Sequence, residues 1–334
     1  MDQFSAHLDR GWDLVQRGDT RGAEASAKRA LELDPNSPEA HNLLGFVAAL
    51  EGEGEEAIEA YQQAIALDDT YLEAMLNAAE VYVHPLADFD EAIRLCELSL
   101  DLAETDDEVV DALLLMFDAL LGKGEVDKAT ELSHRFPEGP FDNPQHTFLV
   151  GRALYEVGNL ENASPLIEES VKRSPKNAEA WYYLGLVRDE RGETQVATEA
   201  FLRSRDLDLT QPGPTPVLSR ETFELTAKRA LASLSPMLRA YVREQEVYAA
   251  DSPGVEVVVD GVDPRALLLI DAVGNEGQPS SVSARVFVYQ RNVERLASSI
   301  EQIEAEIRGA LEREITATFI EPQRTDSASP GTLN

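Results

Sequence analysis

The sequence predicts a mainly α protein, about six stacked helical hairpins followed by a small α+β domain. Three observations carry that expectation. Glycine, alanine and proline positions recur every 34 residues through the first two thirds of the chain. Turn and cap residues bracket each recurrence. After residue 210 the recurrence gives way to short β-branched runs between amphipathic helices.

The recurrence is clearest in its first two copies. Gly18-Asp19 with Ala23, Ala30 and Pro35 returns as Gly52-Glu53 with Ala57, Ala64 and Asp69. A period near 34 is that of a helix-turn-helix unit, and each such unit leaves an apolar face that only a neighbour can cover. Small residues at Gly45, Ala57 and Ala64 allow close helix approach, a glycine after the first helix supplies a left-handed cap, and Asp34-Pro35-Asn36-Ser37 ends one hairpin and caps the next. Two copies depart from the pattern. The third has an extra residue in Val83-His84-Pro85-Leu86-Ala87-Asp88, and the fourth keeps Gly124 and Ala129 but has a continuous apolar run, Leu113 to Met116, and ends early. Between the fourth and fifth copies, the stretch from Phe136 to Pro144 holds too much Pro and Gly for a helix, which predicts a kink there.

These features resemble the tetratricopeptide repeat family. Residues 38–71 supply His41, Leu44-Gly45, Gly52, Ala57, Tyr61 and Ala64; residues 178–211 supply Trp181, Leu184-Gly185, Gly192, Ala197 and Phe201; residues 144–177 supply Val150-Gly151, Gly158, Ala163 and Pro175. The resemblance implies a right-handed superhelix over 4–209, with repeats near 4–37, 38–71, 72–106, 107–136, 144–177 and 178–211. It also implies a concave groove lined by first helices. The groove register selects Trp12, Asn42, Phe46, Glu80, Phe148, Arg152, Tyr155, Tyr182 and Asp189, with Glu39, Glu73, Asp111, Asp118, Glu156, Glu179 and Glu190 among them. The Lys, Arg and Asn set that grips a chaperone's acidic tail in this family is missing.

Charge sharpens the partner. The formal net charge is −33, and residues 1–220 hold 44 Asp and Glu against 18 Lys and Arg. Such a surface repels phosphate backbones, so nucleic acid is not expected as a partner. Its field draws a basic or mixed basic and apolar segment, or it serves solubility alone; composition leaves both open. Aromatic anchors among carboxylates suit a peptide carrying Lys or Arg with apolar side chains. The single cysteine, Cys96, falls at a packing position and excludes an internal disulfide. Neither a basic, apolar leader nor a continuous apolar stretch of about 18 residues is present, so the expectation is a cytoplasmic protein off the membrane.

Residues 210–220 read as a Pro-rich linker and 324–334 as a disordered tail. Between them, Phe223, Ala227, Ala230-Leu231 and Leu234 mark a helix. Val255–Val259, Ala266 to Ile270 and Val286–Tyr289 read as strands, and Ser299 caps a helix striped by Ile300, Ile303, Ile307, Leu311 and Ile315. The order of pieces over 221–323, with Phe223 to Pro236, Glu246 to Pro253 and Val286 to Arg295 as the matching stretches, resembles the small zincin-type metallopeptidase domain of bacteria. Members of that family carry His-Glu-x-x-His on the last helix, two histidines binding zinc with the glutamate as general base. Here the aligned stretch is Arg313-Glu314-Ile315-Thr316-Ala317, the following Ile320-Glu321-Pro322-Gln323 has Glu321 as its only acid, and all five histidines lie before residue 147. The resemblance therefore implies a pseudo-peptidase, with Glu314 vestigial and no cofactor. The functional expectation is a protein-interaction adaptor or scaffold; the alternative is a metallopeptidase-derived enzyme using non-standard ligands.

Overall fold

A computed structural model describes residues 2–213, 218–273, 283–297 and 299–320. The chain divides into two compact units, Met1–Ser174 and Pro175–Asn334.

In the first unit ten helices pair into five antiparallel hairpins. They are α1 (Gln3–Gln16) with α2 (Thr20–Leu33), α3 (Pro38–Glu51) with α4 (Gly54–Leu67), α5 (Leu72–Val83) with α6 (Phe89–Leu102), α7 (Asp106–Gly122) with α8 (Val126–Ser133), and α9 (Pro144–Glu156) with α10 (Leu160–Arg173). Local chemistry fixes their ends. The side chains of Asp2, Asp19, Ser37, Asp88, Thr105, Asn143 and Asn159 accept from free backbone N–H groups in the first turns. Gly52 shows why the turn needs glycine: its φ is +81°, and the next N–H, on Glu53, reaches back to the Ala48 carbonyl at 2.9 Å. The third hairpin has no such glycine; its longer turn places Ala87 at φ +52° instead.

Alanines fill the seam within and between hairpins. Ala23, Ala27, Ala57, Ala64, Ala78, Ala92 and Ala163 have no exposed surface, and Tyr61, Phe117 and Ile167 supply bulk beside them. The Leu113 to Met116 run belongs to a helix apolar on most sides: Leu113 and Leu114 are buried, and Leu115 and Met116 pack on the α3–α6 core. The Pro- and Gly-rich stretch is not helical between His134 and Asn143, and Phe141 plugs it into the interior.

The second unit opens with a sixth hairpin, α11 (Ala178–Glu190) and α12 (Thr194–Thr210). It continues with α13 (Arg220–Ala232), a short α14 (Pro236–Arg239), β1 (Val242–Ala250), α15 (Val255–Val259), β2 (Leu268–Val273), β3 (Ser283–Tyr289), α16 (Gln290–Leu296) and α17 (Ile300–Ile315), which runs into a π-helical turn at Thr316–Ile320. The sheet order is β1-β3-β2, with β1 parallel and β2 antiparallel to β3. One face, with Val247, Ala249, Ala284, Val286, Val288 and Leu268, is buried against Phe223, Ala227 and Leu231 of α13 and Ile303, Ile307, Leu311 and Ile315 of α17.

Three expectations are corrected here. Val255–Val259 is a helical turn rather than a strand: Gly254 stands at its N-cap, and Gly261, at φ +97°, ends it with the Val262 N–H on the Val257 carbonyl at 2.9 Å. End chemistry overrides the β preference of four valines. Ile300 of the α17 stripe is 50% exposed. Ser299 caps α17 through its carbonyl, which accepts from the Gln302 N–H at 3.2 Å, and not through its hydroxyl. Most of the 210–220 linker's centre, Glu321, and the 324–334 tail lie outside the described residues.

Candidate functional site

In the first unit α5, α7 and α9 line a cleft of about 590 Å³. Leu72, Leu76, Leu114, Leu115 and Leu149 contribute apolar lining, and Glu73, Glu80, Glu108, Asp111 and Asp118 bring carboxylates to it. One helix of each of three successive hairpins supplies these groups, so the repeat itself stacks the acids. Arg152 is the one Lys or Arg in the lining, and it is already engaged, 3.6 Å from Asp118 and 3.5 Å from Glu156. Its Nε lies at ion-pair range of Glu156 yet makes no hydrogen bond, so the contact is electrostatic and poorly aligned. Burial pushes the Asp118 carboxyl above its ordinary value, while Arg152 and His84 pull it the other way.

A smaller apolar pocket of about 240 Å³ shares Asn77, Glu80 and His84 with this cleft. Phe46, Ala49, Tyr61, Val81 and Pro85 line it. Burial first, and the nearby Glu80 and Glu73 charges second, raise the Tyr61 phenol above its ordinary value. The hydroxyl therefore stays neutral and acts as part of the wall.

The register-selected residues fall into four groups. Glu80 and Arg152 line the acidic cleft, and Phe46 lines the side pocket with its ring edge-to-face on Trp12 at 5.3 Å. Asn42 and Phe148 are enclosed, at 0% and 1% exposure, and present no surface to a guest. Asn42 instead bridges two hairpins: its amide donates to the Tyr71 hydroxyl at 3.2 Å and its carbonyl oxygen accepts from the Asn77 amide at 3.0 Å. Tyr155 is half-buried. In the second unit Asp189 is exposed, whereas the Tyr182 hydroxyl donates to Asp263 at 2.8 Å.

Sequence reasoning missed His146. It is buried, with Nδ1 at 2.9 Å from Asp107 and Nε2 at 2.8 Å from Asp111, so one ring on α9 joins two carboxylates of α7. The signal was available: Asp111 precedes His146 by 35 residues, as Asn42 precedes Asn77 by 35, and residues about one repeat apart are neighbours. Cys96 is buried at a packing position, and burial pushes its thiol up to about 12.

On α17 both Arg313 and Glu314 are exposed. Among the described residues no group of three or more His, Cys, Asp and Glu side chains could hold a metal ion, and no helix is long and apolar enough to cross a membrane.

A tetratricopeptide repeat model matches residues 8–71 and 149–212, and a second model of the same description matches 74–110. These segments cover most of the helical residues of every hairpin except the fourth, of which they reach only the start of α7. The matched hairpins are tetratricopeptide repeats. Type IV pilus assembly protein PilF of Pseudomonas aeruginosa is 35% identical over 97 residues, 29% of this chain and 38% of that protein. Peroxisome biogenesis protein 5 of Arabidopsis thaliana is 26% identical over 148 residues, 44% of this chain and 20% of that protein. The chain thus spans less than half the length of these two relatives. The solved structure of Pseudomonas aeruginosa PilF superimposes with a TM-score of 0.54 at 19% identity, covering 63% of this chain and 93% of that one. The type IV pilus biogenesis factor PilW gives 0.53 at 17% identity, over 62% and 94%. At these identities the structures speak for the fold. Tetratricopeptide repeats are protein-interaction modules, and their relatives are in general binding or adaptor proteins rather than enzymes.

Proposed function

We propose that this chain is a cytoplasmic adaptor whose first unit holds an extended, basic segment of a partner protein in the α5–α9 cleft. One observation carries the reading: five carboxylates gather along an apolar lining whose only guanidinium is already neutralised. Lys or Arg side chains of a guest supply the missing positive charge, and the leucines bury the apolar parts of its chain. The adjoining pocket of Phe46, Tyr61, Val81 and Pro85 accepts one bulky apolar side chain next to a cation at Glu80. Tyr155, half-buried on α9, extends the same reading as a further partner contact, and Asp189, exposed in the second unit, is a candidate partner contact of that unit by itself.

The test compares capture of partners from lysate by the full chain and by Glu73→Lys/Glu80→Lys, two exposed glutamates whose exchange leaves the buried lining intact. A partner that elutes with rising salt and is lost with the double variant supports the reading, because exposed charge pairs are screened within about 8 Å at physiological salt. Equal capture by both proteins places the interaction elsewhere.

We also infer that the α13–α17 unit is a peptidase-derived scaffold without its zinc chemistry. Support comes from the helix, strand and helix order and from the lack of any histidine after residue 146. The rival enzyme needs stoichiometric zinc and chelator-sensitive proteolysis from the purified chain, and metal analysis of that protein separates the two.

A further inference from the structure

The sixth hairpin meets the rest of its own unit through a small polar assembly. The Arg265 guanidinium lies over the Tyr182 ring, 4.4 Å from its centroid, and its Nε donates to Asp208 at 3.3 Å. Tyr183 and Phe201 flank the Tyr182 ring, each 5.9 Å away between centroids. Arg295 adds a second donor to the same Asp208 oxygen at 3.0 Å. Two residues before Arg265, Asp263 accepts from the Tyr182 hydroxyl at 2.8 Å through one oxygen and from the Arg265 N–H at 2.7 Å through the other. Asn292 holds the loop in shape, its amide donating to the carbonyls of Pro264 at 3.0 Å and Ala266 at 2.8 Å.

These contacts have the form of a bound peptide. An aromatic face, a carboxylate and a phenol hydroxyl receive, in order, the guanidinium plane, its N–H edge and an aspartate two residues away. Tyr182 also stands at a position of α11 that the repeat register assigns to ligand contact. We propose that the last hairpin carries an arginine-binding site, built from Tyr182 of its first helix and Asp208 of its second, and that the chain fills it with its own Asp263-Pro264-Arg265. The ligand class is a segment that presents arginine two residues after an acid. Lysine fits poorly, since it lacks the planar fork that both covers a ring and aligns with a carboxylate. Because the loop is tethered, it competes at an effective concentration in the millimolar range or above, so the site is closed to weak outside ligands until the loop leaves. This concerns the second unit alone: its failure leaves the α5–α9 cleft untouched, and the reverse holds too.

The test titrates acetyl-Asp-Pro-Arg-amide into the full chain, with Trp181 fluorescence and ligand-observed NMR as readouts. Wild type and Arg265→Ala are compared, with far-UV circular dichroism showing that both are folded. The expected result is binding by Arg265→Ala at least tenfold tighter than by wild type, a weaker response to the Asp-Pro-Lys peptide, and loss of the gain in Arg265→Ala/Asp208→Asn. Should Arg265→Ala fail to fold, Arg265→Lys keeps the charge while vacating the ring face, and it gains affinity over wild type by a smaller factor. If the folded variant binds the arginine peptide no better than wild type, or equally well without Asp208, the proposal is overturned.

Discussion

Gly45 of α3 shows how tightly the hairpins are drawn together. A methyl placed there would lie 2.7, 2.8 and 3.0 Å from three carbons of the Tyr61 ring on α4, against ordinary carbon contacts of about 3.5–4.0 Å. The ring is 1% exposed, so it has nowhere to turn and the two helices must part. Overpacking of this kind costs about 1–3 kcal/mol, and alanine returns about 1 kcal/mol through its better helix propensity. With a fully enclosed ring the upper part of that range applies, and Gly45→Ala is expected to destabilise by about 1–2 kcal/mol. In a unit of this size that lowers Tm by roughly 2–8 °C.

Gly185 of α11 sharpens the test. Its methyl would come closer still, 2.4 Å from Phe201, yet that ring is only partly buried and can swing outward. Gly185→Ala is therefore expected to stay within about 1 kcal/mol of wild type, as the propensity gain offsets a ring shift. Thermal unfolding of both variants followed by circular dichroism decides the matter. If Gly45→Ala is as stable as wild type, or if Gly185→Ala is the more damaging, the claim that enclosure outranks distance fails.

Two other expectations follow from charged groups. Asp118 has a folded-state carboxyl raised above its ordinary value by burial, so the stability linked to its proton is complete below the unfolded value near 3.8 and is lost as pH rises through the folded one. Asp118→Asn should therefore raise Tm at pH 7, with the gain shrinking toward pH 3.5; a gain that is constant with pH would show that its ionisation is not the cause. Arg173 holds the Pro- and Gly-rich stretch through the carbonyls of Phe141 at 2.6 Å and Asp142 at 2.7 Å and the Thr147 hydroxyl at 3.0 Å. Discounted for solvent, the loss in Arg173→Ala is about 1–2 kcal/mol, and limited proteolysis within 137–143 should quicken about tenfold, whereas unchanged cleavage would show that Phe141 alone secures the segment.

The hairpins were legible because their signal is local and repeated. Each turn glycine, cap and small seam residue acts within its own 34 residues, so copies reinforce one another. The acidic cleft was legible for a related reason: Glu73, Glu80, Asp111, Asp118 and Arg152 all fall on groove-facing register positions of successive first helices, and stacking brings them together. Asn42 and Phe148 show where that register stops. It gives the direction of a side chain from its own helix but not how closely the next hairpin approaches: at Asn42 that hairpin closes over it through Tyr71 and Asn77, and Phe148 is equally enclosed. Val255–Val259 shows the opposite limit: its four valines carry a β preference, but Gly254 at one end and Gly261 at the other decide so short an element.

Tyr182 marks a different boundary. Periodicity places it on a ligand-facing position, and nothing within a repeat reports that a loop 81 residues later will reach it. The partners come from α12, the 263–265 loop and α16, a set that sequence separation scatters and only the fold assembles. Asp208 is the hub, because one carboxylate accepts from two arginines while only 16% of its side chain is exposed. Removing that carboxylate strands two guanidinium groups, whereas removing either arginine leaves the other in place. Asp208→Asn should therefore cost more stability than Arg295→Ala, and the reverse order would mean that the arginines hold the loop by packing rather than by charge.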